Sequence, residues 1–366
     1  MRGSSKIAWT TPFGEALALA MRGIHLLSSS TPTNAIAERA RLVDAATHDA
    51  PLVPNWTYAR PRLDDARMRL ELIARELEML TGDPLATVYR DRALELMLEA
   101  ELAQNVGEPR FANLAIQRFS APSMAIAKKA GALAKRFQSA KIEADIETIP
   151  CDDDHVDSLL SCMRREIGAR LLPFRVVVQP ALPSLAATGD GVILIGSGRR
   201  ISRAAALRTV LHEIEGHALP RVRAARQELD IFRIGTARGI DDQEGFALLL
   251  EDRGGFLEGE RQRDLAARAF AVGAMRNGAN FAEIVRILRV DYLCAVPLAI
   301  AIAERIFRGS NGVAPGLGRE SIYLQSFIRV RDLFAAAPEA ERVLHCGQVS
   351  VGAWSTLLPH ITQADA

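Results

Sequence analysis

Few cysteines, few aromatics and no net charge of consequence mark this 366-residue chain. Its four cysteines (Cys151, Cys162, Cys294 and Cys346) form no CxxC pair and no regular framework, so a disulfide scaffold and a cysteine-rich zinc module are both excluded. They read as reduced packing thiols, and the short cluster Cys151, Asp154, His155 reads as a turn before a helix cap. The formal charge is +1, which provides no global drive toward nucleic acid or acidic membranes. Arginine far outnumbers lysine, as expected of a GC-rich bacterial genome rather than of a basic patch. No apolar run approaches the ~18 residues that span a bilayer, so no transmembrane helix is expected. Glu15 and Arg22 interrupt the apolar stretch Ala16 to Met21, so no signal peptide is expected and the setting is cytoplasmic. Oligomeric state is not legible.

Alanine is abundant, which favours helix. Helical spacing recurs over residues 12–50 with a break near 28–32, and over 63–80, 84–106, 111–119 and 122–137. A period-two stretch, 142–149, predicts a strand. A helix follows over 156–171, and then two β-branched runs, 174–178 and 191–195, predict a hairpin-like pair. Helices return over 246–251, 261–277, 281–288, 292–307 and 322–337. The Gly-rich segment 309–318 lacks a following Gly-Lys-Ser/Thr and is no phosphate loop; it is a flap or a connector. The expected fold is a predominantly helical α+β protein, with a small sheet packed beside the helix that bears the motif described next. An N-terminal helical region, 1–120, and a catalytic domain, 121–366, are expected.

The segment Leu211-His212-Glu213-Ile214-Glu215-Gly216-His217 carries the chemistry. Two imidazoles with an adjacent carboxylate supply neutral nitrogens for a metal and an acceptor for a proton from water. Residues four apart on an α-helix lie ~40° apart around the axis, whereas five apart they lie ~140° apart and cannot share one ion. A π-turn at Glu215 to His217 would restore a common face. Gly216 tolerates unusual backbone angles, and Pro220 predicts that the helix ends or kinks there. The preceding stretch 204–211 is strongly helix-prone, and an ionisable cluster at the end of a mostly buried helix is costly unless paired or metal-bound. Downstream, Gln243-Glu244-Gly245-Phe246-Ala247 offers a third, anionic ligand, Glu244. A lone histidine is most often packing; two of them with Glu213 and Glu244 favour a metal-dependent hydrolase.

The segments Leu229-Asp230-Ile231-Phe232-Arg233-Ile234-Gly235 and Gln243 to Ala247 resemble a family of bacterial proteins known for a QEGLA motif, often labelled flavohemoglobin expression-modulating. That family is similar to the microtubule-associated tyrosine carboxypeptidases, and its members carry HExxxH. Gly107-Glu108-Pro109-Arg110-Phe111 and Gly347-Gln348-Val349-Ser350 extend the likeness over about residues 15–360. Phe246 replaces the usual leucine, and Ile-Glu-Gly stands where relatives often have Ile-Gly-Thr. The resemblance implies zinc held by His212, His217 and Glu244, with Glu213 as catalytic base, and a gluzincin-like metallopeptidase. It points to Tyr323 as an oxyanion donor. A substrate carboxylate needs a cation, for which Arg319, Arg308 and Arg233 are the candidates. A peptide or protein C-terminus is the implied substrate, with no nucleic-acid or membrane partner. The alternatives are a non-catalytic, zinc-stabilised regulatory or binding protein, and a helical adaptor without metal.

Overall fold

The computed structural model describes residues 8–141, 147–180 and 182–362. The chain divides into two compact units, each drawn from separate stretches of sequence. One comprises Met1–Gly14, Ala140–Arg261 and Ser326–Ala366; the other comprises Glu15–Ser139 and Gln262–Gln325. Both therefore take chain from either side of residue 120. The architecture is predominantly helical α+β, with strands confined to two small sheets. Among the described residues no helix is long and apolar enough to cross a membrane.

The unit built from Glu15–Ser139 and Gln262–Gln325 has helices as its only regular elements. Its tightest pair is Asp64–Glu78 against Pro84–Gln104. Asp83 caps the second of these through Leu85 N at 2.9 Å, and Pro84 occupies the first turn, where a missing N–H costs nothing. Leu70, Ile73, Ala74 and Leu77 are the buried face of the first helix. The Gly-rich segment 309–318 is a packed connector in this unit. Gly309 O accepts from Gly107 N at 2.8 Å, and Gly312 O accepts from Phe281 N at 2.8 Å.

The other unit holds both sheets. Of the expected strand 142–149, residues 142–146 lie outside the described residues. Ile149–Pro150 (β1) pairs antiparallel with Arg200–Ile201 (β5). The three-stranded sheet has Val192–Ile195 (β4) at its centre, flanked by Arg175–Val178 (β2) and Ala186–Thr188 (β3). β2 and β4 run parallel, so the expected hairpin is wrong. The segment between them contains β3, which folds back antiparallel onto the far edge of β4 and leaves β2 to add in parallel on the other edge. Ile193 and Ile195 of the central strand are fully buried. They share one core with Leu160 and Met163 from the helix Leu159–Ala169, and with Ala206, Val210, Ile214 and Ala218 from the helical stretch bearing the motif. The small sheet thus packs beside that stretch, as the expected fold had it.

The motif helix starts at Arg203, capped by Ser202, whose Oγ accepts from Ala205 N at 3.1 Å. It is α-helical through Glu213 and continues as a π-helix over Ile214–Ala218. It does not end at Pro220: α-helix resumes over Leu219–Ala224. The proline falls in the first turn of this new segment. The helix after Gly235 begins seven residues earlier than the apolar pattern suggested, at Gly239, and runs to Arg253.

His345 introduces a pH dependence in this unit. Its ring packs on Phe246 at 4.7 Å, and its Nδ1 accepts from Arg223 Nη1 at 2.7 Å. Burial, and then the charge of Arg223, hold the imidazole below its usual pKa. A depressed folded value favours the neutral ring, so this stability is present above about pH 6.5 and is lost as pH falls through the folded value. Melting curves taken with chelator present should show a drop between pH 7.5 and 5 that is smaller in His345→Gln. An equal drop in both proteins excludes His345 as its source.

Candidate metal centre

Three sequence-predicted residues come together at the junction of the motif helix and the helix Gly239–Arg253. His212 Nε2 lies 3.3 Å from His217 Nε2, and Glu244 Oε2 lies 3.5 Å from the former and 3.7 Å from the latter. In a π-helix, residues five apart stack above one another, as residues four apart do in an α-helix. The π segment is thus what turns His217 onto the face of His212. Gly216 contributes in a way the sequence did not suggest. Its value is close approach rather than an unusual φ, because an added Cβ would fall 2.5 Å from Ala247 Cβ. Gly245 similarly admits the backbone of Ser326. Two glycines therefore let the helix bearing Glu244 settle against its neighbours.

The donor set suits a divalent metal. Three ligand atoms on a tetrahedral zinc, at bond lengths of ~2.0–2.1 Å, stand ~3.3–3.4 Å from one another, close to the separations here. The outward nitrogens are also committed. His212 Nδ1 donates to Glu251 Oε1 at 2.7 Å, and His217 Nδ1 donates to Gln243 Oε1 at 3.0 Å. With both protons on Nδ1, the two Nε2 lone pairs and a carboxylate oxygen face one another, an arrangement that only a cation relieves. Burial pulls the His212 pKa down, but hydrogen bonds to Glu244 and Glu251 outweigh it and lift it to about 10. His217 is lowered by burial. A proton at His212 Nε2 and a divalent ion are thus competitors for one position.

Glu251 was not found from the sequence, although it sits seven residues after Glu244 and so on the same helix face. Arg261 holds it with two contacts of 2.8 Å. Burial raises the Glu251 pKa, yet Arg261 and His212 together bring it down to about 2. It is an anion anchored to orient His212. Glu251→Gln should lower zinc affinity by about 10–100-fold, read by competition with a chromogenic chelator. An unchanged affinity would show that His212 needs no such support.

Glu213 is buried, and its Oε2 accepts from Thr188 Oγ1 on β3 at 2.7 Å. Glu215 points elsewhere, into an ion pair with Arg170. Arg221 is a second residue that the sequence concealed. Burial holds its guanidinium below its usual pKa, against the pull of Asp190, Glu213 and Glu244. Gln348, from the family-like segment Gly347 to Ser350 but given no role there, has its side-chain amide 3.2 Å from Gln243 Oε1. Gly239 makes room for it, because a Cβ there would fall 1.9 Å from Gln348 O.

Arg233 is exposed and paired with Asp230 at 2.7 Å, on a short helix whose other three residues are buried. Tyr323, Arg319 and Arg308 belong to the other compact unit. There Arg319 lies over the Tyr323 ring at 5.9 Å, and burial, followed by repulsion from Arg305, lowers the Arg308 pKa to about 10.

The family model described as microtubule-associated tyrosine carboxypeptidase matches residues 46–364. The chain belongs to that family, and the match includes every residue of the centre described above. No curated protein matches the chain.

Proposed function

We propose that this protein is a zinc-dependent peptidase that acts on peptide or protein C-termini. The observation that supports this reading most is the convergence of His212 Nε2, His217 Nε2 and Glu244 Oε2 beside a buried carboxylate that is not one of the three. Family membership supports the carboxypeptidase part. The microtubule association in the family's description is not carried over to this chain.

His212, His217 and Glu244 would hold the metal and leave a fourth position open. Zinc, when bound, supplies a Lewis acid that acidifies water and polarises a carbonyl. Glu213 would take a proton from the attacking water and return it to the leaving amine nitrogen. Thr188 fixes one oxygen of that carboxylate, and the other would serve as the proton acceptor. β3 is an edge strand of its sheet and lies beside the motif helix, so it offers a backbone edge along which a substrate strand could add. Tyr323, Arg308, Arg319 and Arg233 enter no step here.

A zinc-stabilised binding protein is the second reading, and it has no use for a proton acceptor at position 213. Metal content of the purified chain, combined with digestion of a C-terminal peptide library before and after chelation, tests the proposal. Zinc with chelator-sensitive release of C-terminal residues is expected. Bound zinc without turnover would favour the binding protein, and absence of zinc would remove both readings.

A further inference from the structure

Lysine is scarce in this chain and is not scattered. Of five lysines, four (Lys128, Lys129, Lys135 and Lys141) fall within fourteen residues. Between Glu108 and Glu143 there is no acidic residue, while seven arginines and lysines occur. The formal charge of +1 conceals this excess, because acidic residues elsewhere cancel it.

The helix Met124–Gln138 carries the densest part. Ser123 caps it, with its Oγ accepting from Ile126 N at 3.3 Å. Ala130, Leu133, Ala134 and Phe137 are buried and anchor it in its unit. Lys128, Lys129, Lys135 and Arg136 are exposed. Positions seven apart return to one helix face, ~10 Å apart along the axis. Lys128 with Lys135, and Lys129 with Arg136, therefore form two parallel rows of cations. Along the face between their ends lie Gly131 and Ala132, also exposed, and nothing stands within 4 Å of a Cβ built at Gly131. The cations rise from a floor of small residues.

These cations lack the partners that others in the same unit have. Arg60, Arg75 and Arg110 each reach a carboxylate, on Glu108, Glu71 and Glu101. Among the described residues, Lys128, Lys135 and Arg136 make no ion pair; Arg136 overlies the ring of Phe137 at 5.6 Å. Three observations say what such a face fits. A guanidinium fork recognises individual phosphates, yet this arginine-rich chain places ammonium point charges here. The one aromatic residue of the helix, Phe137, is buried and cannot stack a base. Met124 is 84 % exposed, one turn before Lys128, and offers an apolar side chain to an acyl boundary.

We propose that the helix Met124–Gln138 docks this protein reversibly on an anionic phospholipid surface. Four cations on one face of an amphipathic helix suit a layer of anionic headgroups. The attraction is electrostatic, since the apolar side of the helix is taken up by its own unit. The proposal is independent of the peptidase reading.

The test is co-sedimentation of the full chain with vesicles of phosphatidylglycerol and phosphatidylcholine in equal parts, or of phosphatidylcholine alone. At about 0.1 M salt, partition into the anionic vesicles should be about a hundredfold greater. At about 1 M salt the Debye length falls from about 10 to 3 Å, and the preference should vanish. Lys128→Gln/Lys129→Gln/Lys135→Gln should lose about fivefold per lysine, with melting temperature unchanged. Lys135→Gln alone should lose about fivefold and serves if the triple variant does not fold. Arg60→Gln/Arg75→Gln/Arg110→Gln changes the net charge equally and should partition as the parent does. No preference for anionic vesicles, a preference that survives loss of the lysines, or an equal loss in the arginine variant overturns the proposal. So does lysine-dependent binding of a nucleic-acid duplex, read by fluorescence anisotropy, without binding of vesicles.

Discussion

Glu213→Gln is expected to retain zinc and to lose about 10²–10⁴-fold in peptide turnover. That corresponds to about 3–5 kcal/mol on the barrier. The substitution is nearly isosteric, and the amide oxygen can still accept from Thr188 Oγ1, which now holds the carboxylate at 2.7 Å. The side chain is buried and backed by β3, so little repacking is expected. His212, His217 and Glu244 are untouched, so metal analysis should match the parent protein. What disappears is the capacity to take a proton from water and deliver it to a leaving amine. KM should change far less than kcat, because Glu213 acts on the reacting atoms rather than on the peptide at large. Unchanged turnover with zinc in place would remove Glu213 from the chemistry and leave the centre without a base. Loss of zinc along with turnover would mean instead that Glu213 helps to hold the metal.

Gly245→Ala is expected to destabilise the unit that carries the centre by more than the ~1–3 kcal/mol usual for an overpacked core, and to weaken zinc binding as well. A Cβ at this position would fall 2.3 Å from Ser326 C and 2.6 Å from Phe327 N. These are backbone atoms within the helix Ile322–Ala336, not the end of a flexible side chain. Relief therefore requires one helix to move relative to the other, and Glu244 moves with its neighbour. Gly273→Ala provides the control. It lies within the helix Gly259–Arg276 with nothing within 4 Å of the added Cβ, so helix propensity alone should apply. A gain of about 0.5–1 kcal/mol is expected there. Denaturant midpoints and chelator competition measure both variants. A Gly245→Ala protein that unfolds and binds zinc like its parent would refute the close helix approach.

The local part of the centre was legible. Angular arithmetic on two histidines five apart demands a π turn, and the helix does change to π over Ile214–Ala218. The residues that complete the surroundings were not legible from the motif: Thr188 is 25 positions from Glu213, Glu251 is 39 from His212, and Gln348 is 105 from Gln243. Glu251 alone left a trace, seven residues after Glu244 on one helix face. Arg221 left none, because an arginine near a helix end reads as a surface charge until burial and its neighbours are known.

By itself the amino-acid order determined the helical character, the two histidines with their intervening carboxylate, the distortion they require and the glutamate downstream. Helix period, capping and backbone register act over a few neighbouring residues, so they can be read from a single stretch of chain. Only the tertiary structure decided that β2 and β4 run parallel and that each compact unit is assembled from separated segments. It also decided which polar groups stand behind each imidazole. Those outcomes depend on which distant surfaces bury one another, and no local periodicity encodes that choice.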